Sequence, residues 1–336
     1  MLQPLAILFG LAIHFADVSP PTQAAMKKAA DYSEEYRGQT CVVMFEGEIV
    51  FSQYAAGGRP DQPQMLASGS KSFVGLAAVA AVQDGHLQLD APVSESIPEW
   101  NDASDKRSVT YRQLLNLTSG LTGGARERPN EMPAWKETAA RPLFGKPGEQ
   151  FSYGAHHLNT FAYALERKLG NETFEAYLKR RIFDPIGIRV EWRIRCRDGH
   201  PQVGGGAFAT AADWAKFGEL VRTGGNWKGQ SVLDATAVTC CFEGSSSNPA
   251  YGLTWWLRKP VTQEQRRSIT ILSTEWADAA NADWLPKDLV AACGAGKQRL
   301  YVIPSLKLVI VRQGTFGRGF ADVEFLRLML STDRGE

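Results

Sequence analysis

A chain of 336 residues with 44% hydrophobic and 22% charged side chains has the length and composition to bury a large core, which excludes a disordered or fibrous protein. Its 37 Lys and Arg nearly cancel 36 Asp and Glu, so a net charge of +1 without like-charge runs provides no electrostatic basis for binding nucleic acid or an acidic polymer. Cys41, Cys196, Cys240, Cys241 and Cys293 lack C-x-x-C spacing, and His14, His86, His156, His157 and His200 fall in no metal-ligand pattern. Neither a zinc knuckle nor a disulfide scaffold is indicated, and no metal or organic cofactor is expected.

The first element is an apolar stretch from Leu5 to Ala16, followed by Pro and small residues. It is too short to span a bilayer but suits a secretory leader over residues 1–25, cleaved near Ala24 or Ala25. This leads to an expectation of export to the periplasm or medium if 1–25 acts as a leader, and of a cytoplasmic protein otherwise. No other segment is long and apolar enough to insert in a membrane.

Residues 26–37 carry the charge mix of a surface helix that Gly38 stops. "TCVVMFEGEIVFSQYAAG" then places two β-branched and aromatic runs around Glu46 and Gly47, a hairpin signal. From Ser68 the pattern turns helical, with Ala, Val and Leu filling 74–82 and Asp84–Gly85 ending the run. Further helices are expected at 110–117, 156–169, 172–182 and 211–222. Strands return in "YGLTWWL", "SITILST" and "RLYVIPSLKLVIVRQG", and "ADVEFLRLMLS" closes the chain as an amphipathic helix. The fold class is therefore α+β: one antiparallel sheet built from both ends of the chain, flanked by helices, with a mostly helical lobe inserted. Residues 26–336 are assigned to a single domain, its α/β lobe formed by 26–73 and 246–336 and its helical lobe by 74–245. The adjacent His156 and His157 are expected at the surface or between the lobes.

No G-x-S-x-G elbow occurs, and "GSKS" at 69–72 lacks the spacing of a phosphate-binding loop, so neither an α/β-hydrolase nor a nucleotide site is supported. Ser68 and Lys71 remain. Residues three apart on a helix are neighbours, so hydroxyl and ammonium can touch. The helix N-terminus offers free N–H groups and a positive field to an oxyanion. A lysine beside a helix apolar on every side would be partly desolvated, its pKa pushed down toward that of a useful base. An S-x-x-K tetrapeptide is common by chance, so the pair needs a third, proton-carrying group.

"LASGSKSFVGLAAVAAVQDGHLQLDAPVSESIPEW", "VTYRQLLNLTSGL", "KPGEQFSYGAHHLNTFAYALERKLG", "GGGAFATAADWAKFGELVRTGGNWKGQSVL" and "YGLTWWL" follow one another in this chain. In that order they resemble the serine β-lactamase and penicillin-binding-protein superfamily, and within it the class C β-lactamase-like esterases and amidases. The likeness runs over roughly residues 38–330 and implies the β-lactamase/transpeptidase-like fold. By resemblance Ser68 matches the acylated nucleophile, Lys71 its lysine partner and Tyr153 the tyrosine of the second motif. Two departures stand out. The common Tyr-x-Asn reads Tyr153-Gly154-Ala155, and the strand that would carry Lys-Thr-Gly reads "AACGAGKQRLYVIP". "GAGKQRLYV" is similar to the variant in esterases and in hydrolases of the 6-aminohexanoate-dimer type. That likeness implies an oxyanion hole from the backbone N–H groups of Ser68 and Ala295, with Gly294, Gly296 and Lys297 toward the substrate. Lys297 alone reads equally well as a solvated strand-end lysine.

What these matches imply is a serine hydrolase cleaving a small ester or linear amide through a Ser68 acyl-enzyme. A β-lactamase or D-alanyl-D-alanine carboxypeptidase is the alternative, and a non-catalytic penicillin- or peptide-binding module is the reading from a different class. Trp255, Trp256, Trp276 and Trp284 are candidates for an apolar cleft wall or, more simply, for core. The oligomeric state is left open.

Overall fold

Two β-rich runs joined only by Glu46 and Gly47 have one economical way to pair, as an antiparallel hairpin. In the computed structural model, which describes residues 18–331 apart from 56, 104, 125–130, 270 and 272–275, they form β1 (Gly38–Phe45) and β2 (Glu48–Tyr54). The remaining strands are β3 (Gln64–Met65), β4 (Glu191–Trp192), β5 (Ala207–Ala209), β6 (Asn226–Trp227), β7 (Gln230–Ser231), β8 (Trp256–Leu257), β9 (Val290–Gly294), β10 (Gln298–Ile303) and β11 (Leu308–Gly314). The main sheet has the order β2-β1-β11-β10-β9-β8, every neighbouring pair antiparallel. Its first two strands come from the N-terminal part and the other four from the C-terminal part, as the separated apolar runs required.

The helices are α1 (Gln23–Glu35), α2 (Lys71–Gln83), α3 (Tyr111–Leu115), α4 (Trp135–Ala140), α5 (His156–Leu169), α6 (Phe174–Leu178), α7 (Ala211–Arg222), α8 (Ala235–Thr239), α9 (Gln263–Ser268), α10 (Ala277–Asn281) and α11 (Asp322–Met329). Thr22, Thr110, Thr173, Thr210, Asp234 and Thr262 cap six of them with side-chain oxygens, each accepting from a first-turn N–H. α1 and α11 lie on the sheet together, and α1 buries Ala25, Met26, Ala29, Ala30 and Ser33. Every residue of α2 from Lys71 to Ala81 is buried, so this small-residue helix is the central post of the molecule. Among the described residues no helix is long and apolar enough to cross a membrane.

The expected helices 156–169 and 211–222 have those bounds, whereas 172–182 is divided into α6 and a π-turn over Lys179–Phe183. The expected strand in "SITILST" is not seen in its described part. Ser268 ends α9, whose start is fixed by the reciprocal capping of Thr262 and Gln265, and residues 270 and 272–274 lie outside the described residues. A small sheet of order β3-β5-β4 went unpredicted because strands of two and three residues leave no periodicity. The leader expected over 1–25 falls mainly outside the described residues, while Gln23, Ala24 and Ala25 belong to the first turn of α1.

Candidate active site

The turn Ala67–Ser70 is a single 3-10 turn that runs directly into α2, placing Ser68 three residues ahead of Lys71, where the helix begins. Ala67 adopts φ +47°, a left-handed conformation rare for a residue with a Cβ, so the chain enters the turn under local strain. The turn is held from three sides. Ser70 Oγ bonds the carbonyl of Ala67 at 2.7 Å and accepts from the N–H of Ala207 on β5 at 3.1 Å, and Gly69 N–H bonds the Leu66 carbonyl at 2.9 Å.

Lys71 is 3% exposed, and its Nζ donates to Ser68 Oγ at 3.0 Å and to the carbonyl oxygen of Gly204 at 2.5 Å. Among the described residues no carboxylate is paired with it. Burial alone therefore decides its titration, pushing the ammonium down to about 7 from the ordinary 10.5. Neutral amine and ammonium are both well populated near neutrality, the condition for a group that takes and returns protons. Gly204 went unremarked in the sequence: it is a carbonyl contribution from a loop 133 residues away, and backbone acceptors leave no side-chain signature.

Tyr153 sits in the segment before α5, with its ring centroid 4.9 Å from Lys71 Nζ. Tyr251, Trp256 and Phe151 surround that ring at 6.2, 5.7 and 6.3 Å between centroids. The segment is fixed from behind by His157. Its Nε2 lies 2.8 Å from the Ser152 carbonyl and its Nδ1 2.8 Å from Ser119 Oγ. The carbonyl can only accept, so the proton sits on Nε2 and Ser119 donates to Nδ1. Burial holds this imidazole at about 3, neutral at physiological pH. His156 and His157 are thus fully buried, which overturns the surface alternative of the expectation: the histidines are consumed as internal ties to Ser119, Thr122 and Ser152.

The second backbone donor expected of the site lies on the turn between β9 and β10. Gly294 pairs with Gln298, leaving Ala295, Gly296 and Lys297 as a three-residue loop in which the last two have positive φ. Its foundation is Arg312 on β11, whose guanidinium donates to the carbonyl of Lys297 at 2.8 Å and of Gly296 at 3.3 Å, and rests on Phe320 at 4.2 Å. Arg299 adds a bond to the Gly294 carbonyl at 3.2 Å and is paired with the buried Asp322. Sequence reasoning missed both arginines, since a buried cation at a strand end reads like any other strand-end charge.

Ser68, Lys71, Tyr153 and Ala295 line one cleft of about 390 Å³, together with Met65, Ala67, Gly124, Met132, Gly154, Ala155, Ile194, Gln202, Gly204, Gly205, Ile271 and Phe316. Gly294, Gly296 and Lys297 are not among its described lining residues. Lys297 is half-buried and acts electrostatically on Asp322, helping to lower that carboxyl. Gly294 serves by lacking a side chain. A Cβ there would lie 2.1 Å from the Leu66 carbonyl oxygen and 3.0 Å from the Gly69 nitrogen, so β9 is pressed against the nucleophile turn. Gly294→Ala is accordingly expected to cost about 1–3 kcal/mol of stability and on the order of 10²-fold in kcat/KM through misalignment of the two backbone donors. Thermal melting and a nitrophenyl-ester assay read both effects, and an unchanged variant would show that the turn does not depend on this contact. Trp255, Trp256 and Trp276 are buried in the core and Trp284 is 49% exposed, so none forms the cleft wall. Among the described residues no group of three His, Cys, Asp or Glu is placed to hold a metal ion.

The sequence model of the beta-lactamase family matches residues 26–313. The chain belongs to the beta-lactamase family. Among curated relatives of this beta-lactamase-family chain, the 6-aminohexanoate-dimer hydrolase of Paenarthrobacter ureafaciens is 26% identical over 238 residues, 63% of this chain and 60% of that protein. The lovastatin esterase of Penicillium rubens is 29% identical over 187 residues, 44% of this chain and 46% of that one. The matched stretches thus span less than two thirds of these relatives' own lengths. A D-stereospecific amidohydrolase from Streptomyces superposes with a TM-score of 0.67 at 15% identity, covering 92% of this chain and 99% of the other, a likeness of fold. The family is one of hydrolases, and the relatives this chain matches include a 6-aminohexanoate-dimer hydrolase, a beta-lactamase and an esterase.

Proposed function

We propose that the protein is a serine hydrolase that cleaves small esters or linear amides through an acyl-enzyme on Ser68. The observation that carries this reading is the 3.0 Å bond from the buried Lys71 to Ser68 Oγ inside the cleft that Tyr153 also lines. Neutral Lys71 accepts the Ser68 proton as Oγ attacks the substrate carbonyl. Negative charge on the carbonyl oxygen is stabilised by the N–H groups of Ser68 and Ala295, each such donor being worth about 3–4 kcal/mol in the transition state. The proton held by Lys71 passes by way of Tyr153 to the departing alkoxide or amine as the C–O or C–N bond breaks. Water then attacks the acyl-enzyme, gives its proton to the same pair, and the proton returns to Ser68 Oγ as the carboxylic acid leaves.

Ala155 and the Ala295-Gly296-Lys297 turn support the choice of substrate. The first supplies no side-chain amide where the family commonly has asparagine, and the second no Lys-Thr-Gly set for a β-lactam carboxylate. Esters such as nitrophenyl butyrate and linear anilides are expected to be turned over with kcat/KM at least about tenfold above that for nitrocefin, since unpaired substrate charge in the cleft raises the barrier. Nitrocefin turnover equal to or above that of esters reverses the choice in favour of a β-lactamase.

A further inference from the structure

Four of the described residues lining the cleft have polar side chains: Ser68, Lys71, Tyr153 and Gln202. The first three have roles in the chemistry proposed above. Gln202 does not, and its state is unusual. The residue is 5% exposed, yet among the described residues its Oε1 has no hydrogen-bond partner. Its backbone is fully engaged, the N–H donating to Ile194 and the carbonyl accepting from Gly205 and Gly206 at 3.1 and 2.7 Å, so the side chain is fixed in place by its own loop. A buried acceptor without a partner costs free energy in the free protein, and natural structures keep such groups rarely.

The position of the carboxamide is equally specific. It lies over Gly205, where a Cβ would come within 3.1 Å of Oε1 and 3.5 Å of Nε2, and the same Cβ would stand 3.7 Å from the backbone carbonyl carbon of Ala67. The amide is therefore packed on a bare patch of backbone beside the residue that precedes the nucleophile. Ile194 and Met65 line the same cleft with apolar side chains, so Gln202 is the one polar side chain of the described lining outside the Ser68, Lys71 and Tyr153 group.

We propose that Gln202 is a substrate-binding residue that reads a secondary amide, its carboxamide turning in the complex so that the oxygen, sealed from the cleft in the free protein, accepts the substrate N–H. A carboxamide presents an acceptor and a donor on one planar group, the complement of the N–H and C=O of a secondary amide whichever way the side chain is turned. An ester offers no N–H and leaves the buried oxygen orphaned. A site built to bond an N–H discriminates strongly against an analogue lacking it, whereas an apolar pocket hardly distinguishes the two. The substrates favoured are thus linear amides, or esters bearing an acylamino group beside the scissile carbonyl.

The inference rests on the Ser68 hydrolase reading, and the test separates the two. Wild type, Gln202→Leu and Ser68→Ala are assayed on two matched N–H/O pairs: butyryl p-nitroanilide against p-nitrophenyl butyrate, and the p-nitrophenyl esters of N-acetylglycine and O-acetylglycolate. For at least one pair, the N–H to O ratio of kcat/KM is expected to fall about 10²-fold from wild type to Gln202→Leu. The free Gln202→Leu protein should melt at or above the wild-type temperature, since an orphaned acceptor has been replaced by apolar packing; a glutamine with a merely structural role would lower it. Ratios unchanged in both pairs, or N–H and O substrates losing activity equally, overturn the assignment of Gln202. Ester turnover that survives Ser68→Ala overturns the underlying hydrolase reading instead, whatever Gln202→Leu does. Should Gln202→Leu fail to fold, wild type still decides: an acetylglycine ester no better than its acetylglycolate isostere, with no measurable anilide turnover, refutes amide recognition.

Discussion

Ser68→Ala is expected to lower kcat/KM for a nitrophenyl ester by at least about 10⁴-fold, the scale on which removal of a nucleophile acts when the rest of the machinery depends on it. The loss should be almost entirely in kcat. The cleft, its apolar lining and both backbone donors survive the substitution, so substrate still binds, but no atom remains at the end of the Lys71 bond to attack the carbonyl. Structure should survive as well. Ser68 is only partly buried, and the turn is held by Ser70 Oγ and the Gly69 N–H rather than by the Ser68 hydroxyl. A melting temperature near that of wild type, combined with loss of turnover, distinguishes chemistry from folding. Activity within tenfold of wild type would remove Ser68 from the reaction.

Lys71→Met is the second large effect, about 10³-fold or more in kcat, because a nearly isosteric side chain fills the same space without a proton acceptor. Wild type should show kcat/KM rising with pH through about 7 and levelling above it, since the attacking step requires the deprotonated amine that burial makes available. That limb should vanish from the residual activity of Lys71→Met. The same burial links stability to pH. The unfolded chain takes up a proton near the ordinary value of 10.5, while the folded one waits until about 7. This contribution to stability is thus complete above 10.5, falls as pH is lowered, and is gone below about 7. A wild-type pH profile flat between 6 and 9 would show that Lys71 is not the base.

The parts of the fold legible in sequence were those with strong periodicity or a turn signal. The hairpin around Glu46 and Gly47, the all-buried α2, and α5 and α7 follow from local patterning. Pairing of strands from both ends was legible because no other apolar runs could complete a sheet. The short strands at Glu191–Trp192 and Ala207–Ala209 were not, since their stability comes from neighbours far away in the chain.

At the site, Ser68 and Lys71 were visible as a pair of neighbouring side chains, and Tyr153 only through the family blocks around it. The remainder was invisible for a common reason. The Gly204 carbonyl that holds Lys71, the Arg312 guanidinium beneath the Ala295 turn, the His157 imidazole behind Ser152 and the Gln202 carboxamide all act through contacts between distant segments. Full burial of the adjacent pair His156-His157 was not legible, because two polar side chains in a row read as a surface or interlobe feature and their neutral partners lie on a distant loop. Buried histidine with two neutral partners is as comfortable in a core as a hydroxyl is.

The most direct test of the central claim is intact-mass measurement after exposure to a fluorophosphonate, followed by peptide mapping. One covalent adduct per chain, located on the peptide containing Ser68 and absent from Ser68→Ala, is the predicted result. An unlabelled wild-type protein, or an adduct that persists in Ser68→Ala, would contradict it.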